Sequence, residues 1–294
     1  MTLEQIYDII FIENQERKNV GMVMKELATF DENVFNQMMR HKKFAESKGY
    51  DVIVASIYGS QNYALETEES DVDSYLIVMP SLEDLALNRK PVSKELMYVD
   101  ENGVLNGEHV VVKDFRIFVE ALMNADFHAL EVASSKYTTA IRWTDLDEKV
   151  NPFEDMDCFT AVLFKFYWRV ANCFESALKS RKLERLDWNK KGDRKTLVDI
   201  VLHYFVFLHA FERDKYPYST YSKNLRDTLL EIKNGSMSKE DALAMFDLNT
   251  MLYNVRDRWE HDQPADKGKT ENQLRKELNQ MLINQFEAKF EELR

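Results

Sequence analysis

The sequence predicts an α+β chain, on three observations. Short β-branched and aromatic runs, Val52 to Tyr58, Val72 to Val78 and Glu108 to Val112, fall in the first half. From residue 152 onward the pattern changes to long amphipathic stretches with apolar side chains at helical spacing. Eight glycines and five prolines in 294 residues, with abundant Leu, Lys and Glu, favour helix over a β-sandwich. A chain of this length buries a sizeable core in one or two domains.

Taken in order, residues 2–50 read as helical. Val20, Met22, Val23 and Leu27 recur at near-helical spacing, and Asp31 is placed to cap a helix carrying Val34, Phe35, Met38 and Met39. The cluster Arg40, His41, Lys42 and Lys43 reads as a solvated helix end. The first strand enters Gly59-Ser60 without a proline or a charge. In the second, Asp73, Tyr75 and Ile77 share one parity and Val72, Leu76 and Val78 the other, so Asp71 and Asp73 point the same way. Residues 80–107 read as a long connection of the functional or mobile kind, with a short hairpin of 97–99 against 104–105. In the third strand Glu108, Val110 and Val112 share a face, and Asp114 stands as N-cap to a helix with Phe115, Ile117, Phe118 and Leu122.

The second half carries two apolar stripes, Phe159 to Phe174 and Val198 to His209, which read as core rather than as a cofactor box. Lys165 and Arg169 form a small basic edge on the first. Ser238 with Asp241 makes a capping start, and Pro264 breaks the chain before a last helix.

Charge and cysteine content narrow the function. A net charge of -12 argues against a general nucleic-acid coat protein, yet leaves room for a local basic groove. Such a segment exists from Lys179 to Lys195, where eight Lys and Arg are interrupted by Glu184, Asp187 and Asp193, with Trp188 among them. It reads either as a receiver of a triphosphate or RNA backbone, with Trp188 stacking on a base, or as a solvated loop. Cys158 and Cys173 lie too far apart on one helix to bridge, which predicts a reduced, intracellular protein. No Cys-x-x-Cys or His-x-x-x-His pair indicates zinc. Glu4 and Asp8 stand where a signal peptide needs basic residues, and no apolar run reaches spanning length, so a cytoplasmic protein with no membrane partner is expected.

The chemistry concentrates between Ile53 and Val78. Asp71 and Asp73 repel each other unless a cation sits between them, and a hard divalent ion such as Mg2+ takes such oxygens together with phosphate and water. Gly59 suits a close approach of backbone to phosphate, and Ser60 adds a hydroxyl where N–H groups also favour anions. Each half alone is a common turn; together they fit an enzyme that holds a nucleoside triphosphate with metal.

Gly59-Ser60 followed by Ser70-Asp71-Val72-Asp73 and a second apolar strand resembles the signature of the DNA polymerase beta nucleotidyltransferase superfamily. Phe118 and Glu131 are similar to positions of a bacterial and phage branch of predicted nucleotidyltransferases related to RNA-repair-associated polymerases. The chain departs from that pattern at Ala64, where many relatives carry a second Gly, and at Asp126-Phe127, where Asn-Pro is expected. Asp199 and Leu202 likewise stand in the places of a His and an Arg. The resemblance implies a small mixed-sheet nucleotidyltransferase domain at 49–150, a helical domain at 151–294 and a helical extension at 1–48. It implies a third carboxylate beside Asp71 and Asp73, with Glu108 the candidate and Asp114 the competitor, holding two Mg2+ ions, with Mn2+ as the alternative. Gly59, Ser60 and Ser70 would meet the phosphates, and Lys195 would supply a helical-domain cation. Glu131 is expected to be structural, holding a backbone group, and His128 lacks the companions of a ligand. The implied reaction moves NMP from an NTP to a hydroxyl with release of pyrophosphate, an RNA 3′ end being favoured by the resemblance and a protein or small-molecule hydroxyl equally compatible with the residues. Two other classes stay open: a nucleotide-binding regulator without turnover, and an antitoxin-like protein acting on a protein partner.

Overall fold

The computed structural model describes residues 30–67, 70–100, 102–141, 151–153, 156–210, 223–261 and 269–292. The helix expected before residue 30 and the break at Pro264 lie outside the described residues. The chain divides into two units whose boundary falls inside one helix, between Phe166 and Tyr167. The sheet unit takes the described residues up to Phe166 and those from Lys269 onward; the helical unit takes Tyr167 to His261. The last helix therefore belongs with the sheet, which differs from the three-part division at 48 and 150 expected from sequence.

In the sheet unit the order is α1 (Glu32–Ser47), β1 (Val52–Tyr58), β2 (Asp73–Val78), α2 (Leu82–Ala86), β3 (Ser93–Val99), β4 (Leu105–Asp114), α3 (Phe115–Met123), α4 (Phe127–Ser134) and β5 (Thr139–Ala140). The strands form one sheet in the order β3-β4-β2-β1-β5. It is mixed: β2 and β4 run parallel, and every other neighbouring pair is antiparallel. The α+β class is thus what the sequence predicts.

Asp31 caps α1 as expected, its carboxylate accepting the Asn33 N–H at 2.7 Å. Val34, Met38 and Ala45 of α1 pack on Leu76, Val78, Tyr98, Val110 and Val112, which share one sheet face. The opposite face meets α3, with Tyr75 set edge-on to Phe118 at 6.3 Å and Phe118 in turn 5.1 Å from Phe153. Residues 80–107 are not the loose connection expected. Ser81 and Asp84 close a capping box on α2, and the hairpin extends well beyond 97–99 and 104–105. Outward polar residues hid this strand: Ser93 and Glu95 are exposed while Tyr98 is buried between the sheet and α1. The Asp100 carboxylate accepts the N–H groups of Asn102 and Val104 at 2.9 and 2.8 Å and so shapes the hairpin loop.

The last helix of the sheet unit, written α10 (Glu271–Glu292), packs against α3. Arg275 pairs with Glu120, and Lys289 with Asp51 at 2.7 Å. Lys165 donates to the Met123 carbonyl at 2.7 Å and to Glu271 at 2.5 Å, so this member of the expected basic edge is spent on packing. Such partly exposed pairs contribute about 0–1 kcal/mol each, and the burial of Leu274, Leu278 and Met281 holds this helix more firmly.

The helical unit holds the second half of α5 (Cys158–Lys179), a single 3-10 turn (Leu183–Arg185), α6 (Lys191–Ala210), α7 (Lys223–Asn234), α8 (Lys239–Met245) and α9 (Leu248–His261). Its aromatic stripes are core, as the spacing predicts: Phe174 and Phe207 are fully buried, and Tyr167 stacks on Trp259 with centroids 4.5 Å apart. Ser238 caps α8. Both cysteines are free and lie on α5. No helix among the described residues is long and apolar enough to cross a membrane.

Phe118 sits where two elements and the sheet meet, so Phe118→Ala is expected to lower the unfolding free energy by about 3–5 kcal/mol in a urea titration followed by circular dichroism.

Candidate functional site

The register of β1 on β2 pairs Tyr58 with Asp73, so the Gly59-Ser60 turn leaves the sheet at the level of the second carboxylate. Gly59 has φ of +85, a conformation that strains a side chain although the space around it is open. Ala64 also lies in the left-handed region, at φ +52, which explains why a glycine suits that position. The strain of about 1–2 kcal/mol is offset in part by burying the Ala64 methyl, worth about 0.8 kcal/mol.

A carboxylate from α4 fixes this turn. Glu131, 1% exposed, accepts the Gly59 N–H and, at 2.9 Å, the Asn62 Nδ2. Asn62 also donates to the Ile57 carbonyl at 3.0 Å and accepts from the Ser135 hydroxyl at 2.7 Å. The structural role expected for Glu131 is what the side chain performs. Asp126 caps α4 and Phe127 opens it, so the departure from Asn-Pro keeps the same local geometry. The Gly59 N–H is committed to Glu131 and is therefore not among the amides left for a phosphate. The Ser60 hydroxyl, half-buried, has no partner among the described residues.

Asp73 is half-buried, and its Oδ1 accepts the His109 N–H at 3.3 Å. Asp71 is exposed, just before the strand. The Ser70 hydroxyl accepts the Thr67 N–H at 2.9 Å and closes the bend that leads into Asp71. Among the described residues no three His, Cys, Asp or Glu side chains converge as a ready-made metal cage. Two carboxylates suit Mg2+ all the same, since that ion usually takes one or two carboxylates and completes its shell with waters and substrate phosphates.

Glu108 lies on the opposite sheet face from Asp73. The β2/β4 register pairs Ser74 with Val110, so the Glu108 parity faces α1 while Asp73 faces the other way. Its carboxylate accepts from Gln37 Nε2 at 2.6 Å and lies 2.9 Å from His41 Nε2. His41, expected as part of a solvated helix end, is fully buried, with Nδ1 2.8 Å from the Ser74 hydroxyl. This Ser-His-Glu line has the order of a nucleophile and its base, but Ser74 and His41 are 0% exposed, beyond reach of a substrate. Asp114 is structural too, capping α3 and forking onto the Arg116 guanidinium at 2.9 and 2.7 Å.

The residues that do share Asp73's face are His109 and Glu95, which sequence reasoning missed. His109 Nδ1 lies 2.5 Å from Glu95 Oε1, and both side chains are well exposed. Tyr58 stands beside them, edge-on to His128 at 5.5 Å. Burial, then the charges of Asp73, Glu95 and Glu131, pushes its phenol far up, so Tyr58 stays a donor. Lys195 belongs to the helical unit, exposed on α6.

Two expectations test this arrangement. Glu131→Ala orphans buried donors and is expected to cost about 2–4 kcal/mol of stability in a denaturant titration. Burial holds the His41 imidazole below its usual range, against the opposing pull of Glu108. The unfolded chain therefore takes this proton more readily, and the His41 contribution is complete above about pH 6.5 and declines as pH falls through that value. Denaturant titrations at about pH 7.5 and pH 5.5 are expected to show wild type losing more stability than His41→Gln.

Comparison with known proteins gives no match to this chain, either to a protein-family model or to a curated sequence.

Proposed function

We propose that the chain is a metal-dependent nucleotidyltransferase, moving NMP from an NTP to a hydroxyl acceptor with release of pyrophosphate. One observation carries this reading. The Gly59-Ser60 turn and the Asp71/Asp73 pair emerge at the same end of neighbouring strands, through the Tyr58 to Asp73 pairing. A turn that meets phosphate and a carboxylate pair that meets cation are then a residue apart across the ladder.

Asp71 and Asp73 would hold Mg2+, or Mn2+ in its place. When bound, the metal would neutralise charge on the triphosphate and on the attacking and leaving oxygens. Asp73 is oriented for that task by the His109 N–H, and Ser70 fixes the bend that presents Asp71. Ser60 offers its hydroxyl to a phosphate oxygen, and Gly59 supplies the left-handed turn that aims it. Glu131 acts through that turn, as a positioning residue. Glu108, held by Gln37 and His41, supports β4 behind the site instead of completing the metal shell. In the transfer the acceptor oxygen bonds to the α-phosphorus, the bond from that phosphorus to the bridging oxygen breaks, pyrophosphate leaves, and the hydroxyl proton passes to solvent. An RNA 3′ hydroxyl is the favoured acceptor.

The test is incubation with Mg2+ and each α-labelled NTP, with and without short RNAs. Label transfer is expected from wild type, reduced at least about a hundredfold by Asp73→Asn, the scale on which loss of one charge-stabilising group acts. No transfer to any acceptor, with wild type and Asp73→Asn alike, would overturn the reading.

A further inference from the structure

The segment from Lys179 to Lys195 carries eight Lys and Arg against three Asp and Glu, a local charge of +5 in a chain of net -12. Lys179, Arg181, Lys182, Arg185, Lys190, Lys191 and Lys195 are all exposed. Among the described residues no carboxylate pairs with Lys182, Arg185 or Lys195.

This is not a slack solvated loop. Leu183 and Leu186 are buried and anchor its middle. Trp188, half-buried, donates its indole N–H to the Met237 carbonyl at 2.8 Å, which ties the middle of the loop to the segment before α8. Arg194, the one half-buried cation, donates to the carbonyls of Trp188 and Lys233 at 2.6 and 3.1 Å. From outside the loop Lys239 reaches the Glu184 and Leu186 carbonyls, both at 2.8 Å. The Asp193 carboxylate accepts the Asp187 N–H at 2.7 Å, which takes one of the three negative charges into the scaffold.

We infer that this stapled loop is a docking surface for the phosphodiester backbone of a nucleic-acid strand, bound without sequence preference. The division of labour within the loop supports that partner. Leu183 and Leu186 are turned to the protein, and the half-buried Trp188 is tied by its N–H, leaving neither an anchor for a bilayer nor a dry patch for a protein interface. What faces outward is charge alone, on long side chains held by a fixed backbone, and that is the equipment for phosphate contacts that position a strand without reading its bases. The inference stands on the loop by itself, and if the transferase reading holds it names nucleic acid as the acceptor class.

Fluorescence anisotropy with a labelled single-stranded RNA and a DNA of the same sequence, without nucleotide or metal, tests it. Wild type is expected to bind both at about 50 mM salt, and the charge reversal Lys182→Glu/Arg185→Glu/Lys190→Glu to weaken binding by about tenfold or more. The slope of log affinity on log salt is expected to become shallower by about 2 in the variant, about 0.7 for each of three lost single-strand contacts. Asp73→Asn is expected to bind like wild type, which separates docking from chemistry. The inference is overturned if wild type binds neither strand, if the triple variant keeps both affinity and slope, or if only anionic phosphatidylserine vesicles are bound.

Discussion

The turn after β1 depends on one buried carboxylate. Taking a carboxylate out of water costs several kcal/mol unless donors replace the lost hydration, and Glu131 recovers this through the Gly59 N–H and the Asn62 amide. Neither donor has much choice: Gly59 is held in a left-handed conformation, and Asn62 is 5% exposed. The clamp therefore ties a turn to a helix far away in sequence and fixes where Ser60 and the start of β2 stand. It also uses up an amide that sequence reasoning assigns to phosphate, which leaves the Ser60 hydroxyl as the proposed phosphate contact of this turn.

The sheet has two unlike faces, and this governs what each charged residue can do. Beneath α1 the face is apolar except for the chain Gln37, Glu108, His41 and Ser74, in which each member has a hydrogen-bond partner. A polar chain in a core is tolerated when it is satisfied throughout, and it then locks the register of what it joins. Here it joins α1 to β2 at Ser74 and to β4 at Glu108, the residues next to Asp73 and His109. The other face carries exposed Glu95 and Met97 at the β3/β4 edge, with the half-buried Asp73 on the same side.

How much the sequence discloses follows the range of the interaction involved. Local signals read true: the Asp31, Asp114 and Ser238 caps and the shared parity of Glu108, Val110 and Val112. Alternation within β2 and within β4 is also local. What alternation cannot supply is the register between two strands 30 residues apart, and a shift of one residue turns a side chain to the opposite face. Glu108 therefore looks like a partner of Asp73 in the sequence while His109 holds that place in the fold. The length of β3 was hidden for another reason: at a sheet edge only one parity is buried, and the outward Ser93 and Glu95 read as loop composition. His41 is masked by its company, lying between Arg40 and Lys42 in a run of charges while its own face points inward.

The charge distribution poses a last question, how a patch of +5 survives on a chain of net -12. Screening answers the long-range half of it. With a Debye length of about 8 Å at physiological salt, carboxylates farther away than two or three side chains barely oppose a bound phosphate. The short-range half is answered by the loop, where Lys179 and Arg256 share Glu175, and Arg181 and Lys190 have only exposed acidic neighbours. Exposed pairs of that kind are worth under about 1 kcal/mol and are readily exchanged for a phosphate. Holding the cations together, by contrast, sets them against one another. The buried Leu183 and Leu186, the Trp188 indole and the Lys239 ammonium oppose that repulsion with contacts that do not depend on neutralising the surface. The loop thus keeps its positive charge through packing and backbone hydrogen bonds, and the net acidity of the chain does not decide what it binds.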